Sequence, residues 1–212
     1  MFDSGVGGKS VVKAVQKELP DIEVMYINDS KNVPYGSKTP KELLELVMPK
    51  LKQLEAEGCK VIVMACNTVT TTIIKEVRVQ IKIPIVAIEP MVKPACETTK
   101  SKIIAVCATP ATLNSPRYKE LLEQHAKHIT VLEPDCSDWS YLIENNITDQ
   151  KAIEERITEV CKQGADVIVL GCTHYHWIEE DIKTIANDFD VKVIQPEQAL
   201  VAQLKRVLEQ LA

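Results

Sequence analysis

Apolar residues of the chain concentrate in seven short runs that are rich in β-branched side chains, with amphipathic stretches between them. A continuous apolar run of roughly four to eight residues is typical of a strand buried on both faces of a parallel sheet. We therefore predict strands at residues 22–26, 61–65, 83–88, 103–107, 129–132, 167–170 and 191–194.

The amphipathic stretches predict helices at residues 41–57, 70–79, 116–127, 150–162, 178–189 and 196–212. Strands that alternate with helices favour an α/β fold with a mainly parallel sheet. Gly58 and Gly164 each follow a helix rich in Lys and Glu. A glycine at that position commonly ends a helix in the left-handed conformation.

The two halves of the chain repeat one pattern. Residues 58–66 (GCKVIVMAC) match residues 164–172 (GADVIVLGC), and 172 − 66 = 106. The same offset carries Asp3 onto Thr109 and residues 24–26 onto 130–132. We predict two pseudo-symmetric three-layer α/β/α domains, with mainly parallel sheets and the active site in the cleft between them. The alternative is two ordinary βαβ units whose strands and helices have similar spacing.

The domain boundaries follow from this repeat. We expect residues 1–90 together with about 196–212 to form the first domain, and residues 91–195 to form the second. An exchange of the terminal helix between the domains stays open.

Charge and hydropathy exclude several classes of protein. The net charge of −5 argues against a general binder of nucleic acid or anionic membrane. No apolar run approaches the roughly 20 residues that span a bilayer, and the N-terminus lacks the pattern of a signal peptide. We expect a cytoplasmic protein with a small-molecule partner.

Two of the seven cysteines stand apart from the rest. In a reducing compartment most free thiols behave as small buried apolar groups. Cys66 and Cys172, however, each follow a predicted strand and precede polar residues that open a helix. Ligands of open α/β sheets bind beyond the carboxyl ends of strands, and helix starts stabilise thiolates. Both thiols are therefore expected to face one ligand from opposite sides.

The neighbours of these cysteines suit acid–base chemistry. Asn67, Thr68 and Thr173 supply neutral hydrogen-bonding groups. His174 could assist proton transfer, with a purely structural histidine as the alternative. The glycine-rich residues 2–8 predict a tight turn whose amides suit an anion, without the spacing of a nucleotide-binding loop. Asp3 in this turn could be a helix cap or a base.

Four motifs follow one another over nearly the whole chain: FDSGVGG at 2–8, PYGSK at 34–38, ACNT at 65–68 and GCTHY at 171–175. Taken together and in this order, they resemble the motifs of the glutamate racemase family. The resemblance implies interconversion of L- and D-glutamate for peptidoglycan, with neither pyridoxal phosphate nor metal. We also expect a homodimer.

The resemblance also implies site residues. Cys66 and Cys172 match the catalytic thiols, and Asp3 and His174 match groups that assist them. Asp29 and Glu144 match acidic residues near the pocket. The substrate-binding positions would be Ser4, Pro34, Tyr35, Gly36, Asn67, Thr68, Thr112 and Thr173.

Some positions depart from the family pattern. Little of the first strand remains before Asp3, His176 replaces a usual proline, and residues 195–197 replace an Asp-Ser-Gly stretch. Three alternatives stay open: a racemase of aspartate or another small acid, a catalytically impaired ligand-binding homologue, and a zinc site. The zinc ligands would be Cys66, Cys172, His174 and His176, but the usual CxxC spacing is missing.

Overall fold

Two parallel four-stranded sheets organise the chain in the computed structural model, which describes residues 1–211. Every strand pair is parallel, and the orders β2-β1-β3-β4 and β6-β5-β7-β8 are equivalent. The predicted pseudo-symmetric α/β fold is therefore confirmed. The strands are β1 (Phe2–Asp3), β2 (Ile27–Asn28), β3 (Ile62–Met64), β4 (Ile85–Ala87), β5 (Ile103–Cys107), β6 (Thr130–Leu132), β7 (Val167–Leu170) and β8 (Lys192–Ile194).

Helices connect successive strands and cover both faces of each sheet. They are α1 (Gly8–Glu18), α2 (Pro40–Ala56), α3 (Asn67–Gln80), α4 (Val92–Thr98), α5 (Pro110–Asn114), α6 (Pro116–His125), α7 (Trp139–Glu144), α8 (Gln150–Lys162), α9 (Glu179–Asn187) and α10 (Glu197–Leu211). Shorter 3-10 helices lie at Ser30–Asn32, Tyr35–Ser37 and Thr173–Ile178. Gly58 and Gly164 have φ values of +82° and +92°, which confirms the predicted left-handed helix ends.

Alternate side chains of the central strands point into separate apolar layers, as the two-residue repeat of a strand requires. In β3, Ile62 and Met64 pack towards α2 and α3, whereas Val63 packs towards α1 and α10. The second sheet repeats this arrangement, with α8 and α9 on one face and α4 and α6 on the other. Within residues 1–211, no helix combines the length and apolar character that crossing a membrane requires.

The last helix lies on the first sheet. Leu200, Val201 and Leu204 of α10 are buried in one cluster with Val11 and Val15 of α1. This packing supports grouping α10 with residues 1–90 as one domain and residues 91–195 as the other, a division that we retain as a proposal.

One predicted strand is wrong. Residues 22–26 are not a strand, because Phe2 of β1 pairs with Ile27 and leaves that apolar run outside the ladder. Val24 and Tyr26 pack instead, partly buried, beside α1. The offset of 106 consequently relates β3 to β7 but does not relate β2 to β6. β1, although only two residues long, lies between β2 and β3 in the sheet.

Candidate active site

Cys66 and Cys172 lie at equivalent places in the two halves. Cys66 follows β3 and precedes α3, and Cys172 follows β7 and precedes the 3-10 helix Thr173–Ile178. Both cysteines are buried and line one small pocket between the carboxyl ends of the sheets. The pocket is lined by Ser4, Val33, Tyr35, Gly36, Cys66, Asn67, Thr68, Thr109, Ser140, Cys172, Thr173 and His174.

The pocket differs from the predicted residue set in both directions. Val33, Thr109 and Ser140 line it, although the sequence did not single them out as site residues. The offset of 106 could have identified Thr109, because it carries Asp3 onto that position. Other predicted residues lie behind the lining: Asp3, Asp29, Pro34, Thr112 and Glu144.

Asp29 acts on the pocket through a neighbour. Its carboxylate accepts a 2.6 Å hydrogen bond from the Tyr35 hydroxyl and lies 3.1 Å from Lys50 Nζ. Burial and the hydrogen bond to Asp29 raise the pKa of Tyr35, so this hydroxyl stays protonated. Asp29 therefore holds a residue of the pocket wall.

The Cys66 side of the site is buried, and the hydrogen-bond partner of the thiol is a neutral hydroxyl group. The Cys66 thiol donates to Ser4 Oγ at 3.3 Å. Burial raises the pKa of Cys66 to about 12, and the nearby charge of Asp3 adds to this rise. Burial also raises the pKa of Asp3, although the charge of His174 and the backbone amides of Gly8 and Gly5 act in the opposite direction.

The Cys172 side carries an ion pair. His174 Nδ1 lies 3.7 Å from Cys172 Sγ, and His174 Nε2 lies 2.7 Å from Glu144 Oε2. Burial alone would lower the pKa of His174, but its hydrogen bonds to Cys172 and Glu144 prevail and raise it to about 10. Burial opposes ionisation of Glu144 as well, yet hydrogen bonds from His174, Ser30 and the Val6 amide lower its pKa to about 2. The pair is therefore imidazolium and carboxylate at neutral pH.

The amides of the glycine-rich turn bind carboxylates of the protein itself. Asp3 Oδ2 accepts hydrogen bonds from the Gly8 amide at 2.7 Å and the Gly5 amide at 3.3 Å. Glu144 accepts from the Val6 amide at 3.0 Å. These three amides, which were predicted to bind an anion, therefore bind the carboxylates of Asp3 and Glu144 instead.

Hydroxyl groups form the wall near α3 and α5. Thr68 Oγ1 lies 2.9 Å from Thr109 Oγ1, and the Thr109 hydroxyl donates to Thr112 Oγ1 at 3.1 Å. Thr112 is fully buried behind Thr109, so it supports the wall without lining the pocket. Asn67 is also buried, and neither polar atom of its side chain has a hydrogen-bond partner within residues 1–211. This amide is available to a ligand.

The four residues considered as zinc ligands do not converge. His176 Nδ1 pairs with Glu197 Oε1 at 3.0 Å, and His176 is absent from the pocket lining. In the described part of the chain, no group of three or more His, Cys, Asp and Glu side chains has the arrangement of a metal site.

The geometry suits proton transfer to and from carbon. Two thiols approach one pocket from matching strand ends, while an unpartnered amide and several hydroxyl groups offer neutral hydrogen bonds. Such groups can hold a carboxylate without adding charge. A proton could therefore leave a bound molecule on one face and return on the other.

Comparison with known proteins agrees with this geometry. Residues 9–204 match the family described as Asp/Glu/hydantoin racemase. The chain is 38% identical to the glutamate racemase of Clostridium acetobutylicum over 99% of its own length and 83% of that protein. The glutamate racemase of Ralstonia pickettii is 35% identical over 98% of this chain and 75% of the relative. The crystal structure of Escherichia coli glutamate racemase with L-glutamate and the activator UDP-MurNAc-ala superposes with a TM-score of 0.90 at 26% identity, covering 98% of this chain and 80% of that one.

Proposed function

The chain belongs to the Asp/Glu/hydantoin racemase family, and we propose that it interconverts L- and D-glutamate by proton transfer between Cys66, the α-carbon and Cys172. The observation that carries this proposal is the pair of thiols at matching strand ends in one pocket. As members of this family are isomerases that work without pyridoxal phosphate, the chain's own groups must move the proton. The proposed role of the product D-glutamate is in peptidoglycan.

Two thiols solve a geometric problem of racemisation. The α-proton leaves from one face of the substrate and a proton returns to the opposite face, so a single base would have to cross the substrate plane. In each direction one cysteine acts as thiolate and accepts the α-proton, and the other donates its thiol proton to the carbanion-like carbon. The two roles exchange with the handedness of the substrate.

Neighbouring side chains support each thiol in a different way. The His174 side chain lies beside Cys172, with Nδ1 3.7 Å from Sγ, and is proposed to assist proton transfer there. On the other side, the charge of Asp3 raises the pKa of Cys66, and Asp3 is proposed to assist proton transfer there. Asn67, Thr68 and Thr173 are proposed to bind the substrate carboxylates and to stabilise charge that develops at the α-carboxylate.

The names of the relatives support glutamate as the substrate. The curated relatives at 35–38% identity are named glutamate racemases and align over 98–99% of the chain. Aspartate or another small acid is the alternative substrate, and competition between L-glutamate and L-aspartate would separate them. A ligand-binding homologue without catalysis would bind glutamate and leave its α-proton in place.

The test is exchange of the α-proton of each glutamate enantiomer in D₂O. It compares the wild type with Cys66→Ser and Cys172→Ser, and with Cys59→Ser as a control cysteine outside the pocket. We expect the wild type and the control to exchange the proton and invert the centre. Each pocket variant should lose racemisation in both directions, and its residual α-proton exchange should differ between the enantiomers.

Full activity in either pocket variant would contradict the two-thiol mechanism. Exchange of aspartate but not of glutamate in the wild type would overturn the substrate assignment and retain the chemistry. The homodimer stays a prediction, which sedimentation velocity of the full chain would check.

A further inference from the structure

A second polar cluster, which is partly buried, lies outside the pocket and consists of Ser10, His176 and Glu197. His176 Nδ1 is 3.0 Å from Glu197 Oε1 and 3.2 Å from Ser10 Oγ. The side chain of His176 is 1% exposed and that of Glu197 is 17% exposed. The mechanism proposed above uses none of these three residues.

The cluster joins three elements. Ser10 belongs to α1, Glu197 is the first residue of α10, and His176 belongs to the 3-10 helix Thr173–Ile178. We call Cys172 and this 3-10 helix the Cys172 segment. Both α1 and α10 cover the first sheet, whereas the segment continues from β7 of the second sheet. The contact is therefore a polar junction between the two halves.

The geometry of the segment links this junction to the pocket. A 3-10 helix turns about 120° per residue, so side chains two residues apart point to different sides. His174 accordingly faces Cys172 and Glu144, whereas His176 faces Ser10 and Glu197. His174 and His176 belong to the same short helix. A shift of the backbone at His176 would therefore also move the backbone at His174.

The packing between α1 and the segment leaves little room for such movement. A Cβ atom added to Gly7 would lie 2.6 Å from both the His174 amide nitrogen and Thr173 Oγ1. Ser10 is one helical turn beyond Gly7, and its hydroxyl donates to the Gly7 carbonyl at 3.1 Å. Lys13, a further turn along α1, places Nζ 5.5 Å from the ring centre of Trp177.

The junction pairs the Glu197 carboxylate with an imidazole side chain that is almost fully buried. Burial opposes ionisation of Glu197, yet the hydrogen bonds with His176 and Ser10 prevail and lower its pKa. A buried carboxylate that loses its partner carries a desolvation penalty, so the pairing resists separation.

We propose that Ser10, His176 and Glu197 form a positioning cluster, which holds the Cys172 segment against α1 and α10 and thereby sets the geometry of proton transfer at Cys172. The proposal rests on the racemase function proposed above. The three residues act through the segment and do not touch the substrate. Cys66 is held by β3 and α3 and lies outside the reach of this cluster.

The experiment measures primary deuterium isotope effects with α-deuterated L- and D-glutamate. In one direction Cys172 removes the α-deuteron, and in the other direction Cys66 removes it. A variant that slows proton transfer at Cys172 makes that step more rate-limiting. The isotope effect should then rise for the enantiomer deprotonated by Cys172 and fall for the other. Residual α-proton exchange in Cys172→Ser and Cys66→Ser shows which enantiomer each remaining thiol deprotonates.

The main variant is His176→Ala. We expect a fall in kcat of roughly 10-fold, in line with the cost of small misplacements near reacting groups. Its isotope effect should rise for the enantiomer that Cys172 deprotonates and fall for the other. His176→Asn, whose amide can donate from the place of Nδ1, should restore isotope effects close to those of the wild type. Glu197→Gln and Ser10→Ala are milder variants that test the same cluster if His176→Ala does not fold.

Glu89→Gln is the matched control. Glu89 pairs with Arg117 at 2.8 Å in a second ion pair between the halves, away from the Cys172 segment. We expect it to change stability without changing the balance of the two isotope effects. Isotope effects in the cluster variants that equal those of the wild type, or that rise for the enantiomer deprotonated by Cys66, would overturn the proposal. Absence of racemisation in the wild type would instead refute the proposed function.

Discussion

His174 Nε2 and Glu144 Oε2 are 2.7 Å apart, and the same carboxylate oxygen accepts the amide of Val6 at 3.0 Å. His174 and Glu144 come from the second half of the chain, whereas Val6 belongs to the glycine-rich turn of the first. One oxygen atom thus joins the ion pair beside Cys172 to the other half. The charge state of the pocket consequently depends on how the halves dock.

Replacing Glu144 by Gln should impair catalysis. The substitution keeps the size of the side chain and removes the charge that balances the His174 imidazolium. We expect kcat to fall by about 10-fold or more, because positioned acid–base groups commonly contribute at least that much. The measurement is steady-state racemisation of both enantiomers. Glu133→Gln, which alters a carboxylate bonded to Tyr118 outside the pocket, should retain activity; equal losses would contradict the assignment.

The same pair should make stability depend on pH. The pKa of His174 is about 10 in the folded protein and about 6.5 in an unfolded chain. The folded state therefore binds more protons between these values. Its stabilisation is complete below about pH 6.5 and is lost as pH rises towards 10, with a slope of up to about 1.4 kcal/mol per pH unit.

Urea unfolding between pH 6.5 and 7.5 checks this dependence, because most thiols of the unfolded chain, with pKa values of about 8.5, still carry their protons in that range. Glu144→Gln should lower the pKa of His174 and give a shallower decline. Identical slopes for the wild type and the variant would show that the ion pair does not control this titration.

The hydroxyl cluster should be sensitive to loss of its central member. Thr109→Val keeps the shape of the side chain but leaves the hydroxyl groups of Thr68 and Thr112 without that partner. We expect a loss of about 1–3 kcal/mol in the free energy of unfolding, the usual penalty for an unsatisfied buried group. Thr130→Val, at an exposed position in β6, is the control and should change stability little. Similar small effects of both would argue against a buried network.

Alanine substitutions at two glycines should have different effects, because Gly7 lies in a close contact and Gly58 has a positive φ. Gly7 has helical backbone angles, so the effect of Gly7→Ala is purely steric, against the backbone and hydroxyl of Thr173 and the backbone of His174. We expect it to reduce racemisation strongly. Gly58 has a φ of +82° and open space around it, so Gly58→Ala should cost about 1 kcal/mol of stability and leave kcat intact. Unchanged kcat in Gly7→Ala would show that α1 tolerates a shift away from the pocket.

The central strands were predictable because they are buried on both faces, and strands of this kind consist of uninterrupted apolar residues. β5 and β7 have the predicted bounds, and the repeat placed Cys66 and Cys172 at equivalent strand ends. The run at residues 22–26 shows the limit of this approach. Apolar side chains report burial, whereas a strand also needs a neighbouring backbone, which β1 provides only for Ile27 and Asn28.

The pocket residues missed from the sequence have different explanations. Thr109 carried a signal, since the internal offset maps Asp3 onto it. Ser140 carried none, because its place in the pocket depends on how α7 packs over the Cys172 segment, with Trp139 edge-on to Tyr175. The pairing of His176 with Glu197 also joins residues 21 positions apart, which no local pattern indicates.

The two sheets match, but the groups beside the two thiols do not: a hydroxyl from Ser4 faces Cys66, and an ion pair stands beside Cys172. Mirror-image substrates have equal free energies in water, so kcat/KM must be the same in both directions however unequal these surroundings are. Different surroundings of the two thiols can therefore make kcat differ between the enantiomers only if KM differs by the same factor. An enzyme of this kind can bind one enantiomer more tightly than the other, so that most of the bound substrate has one handedness. The free substrate in solution still reaches equal amounts of both enantiomers.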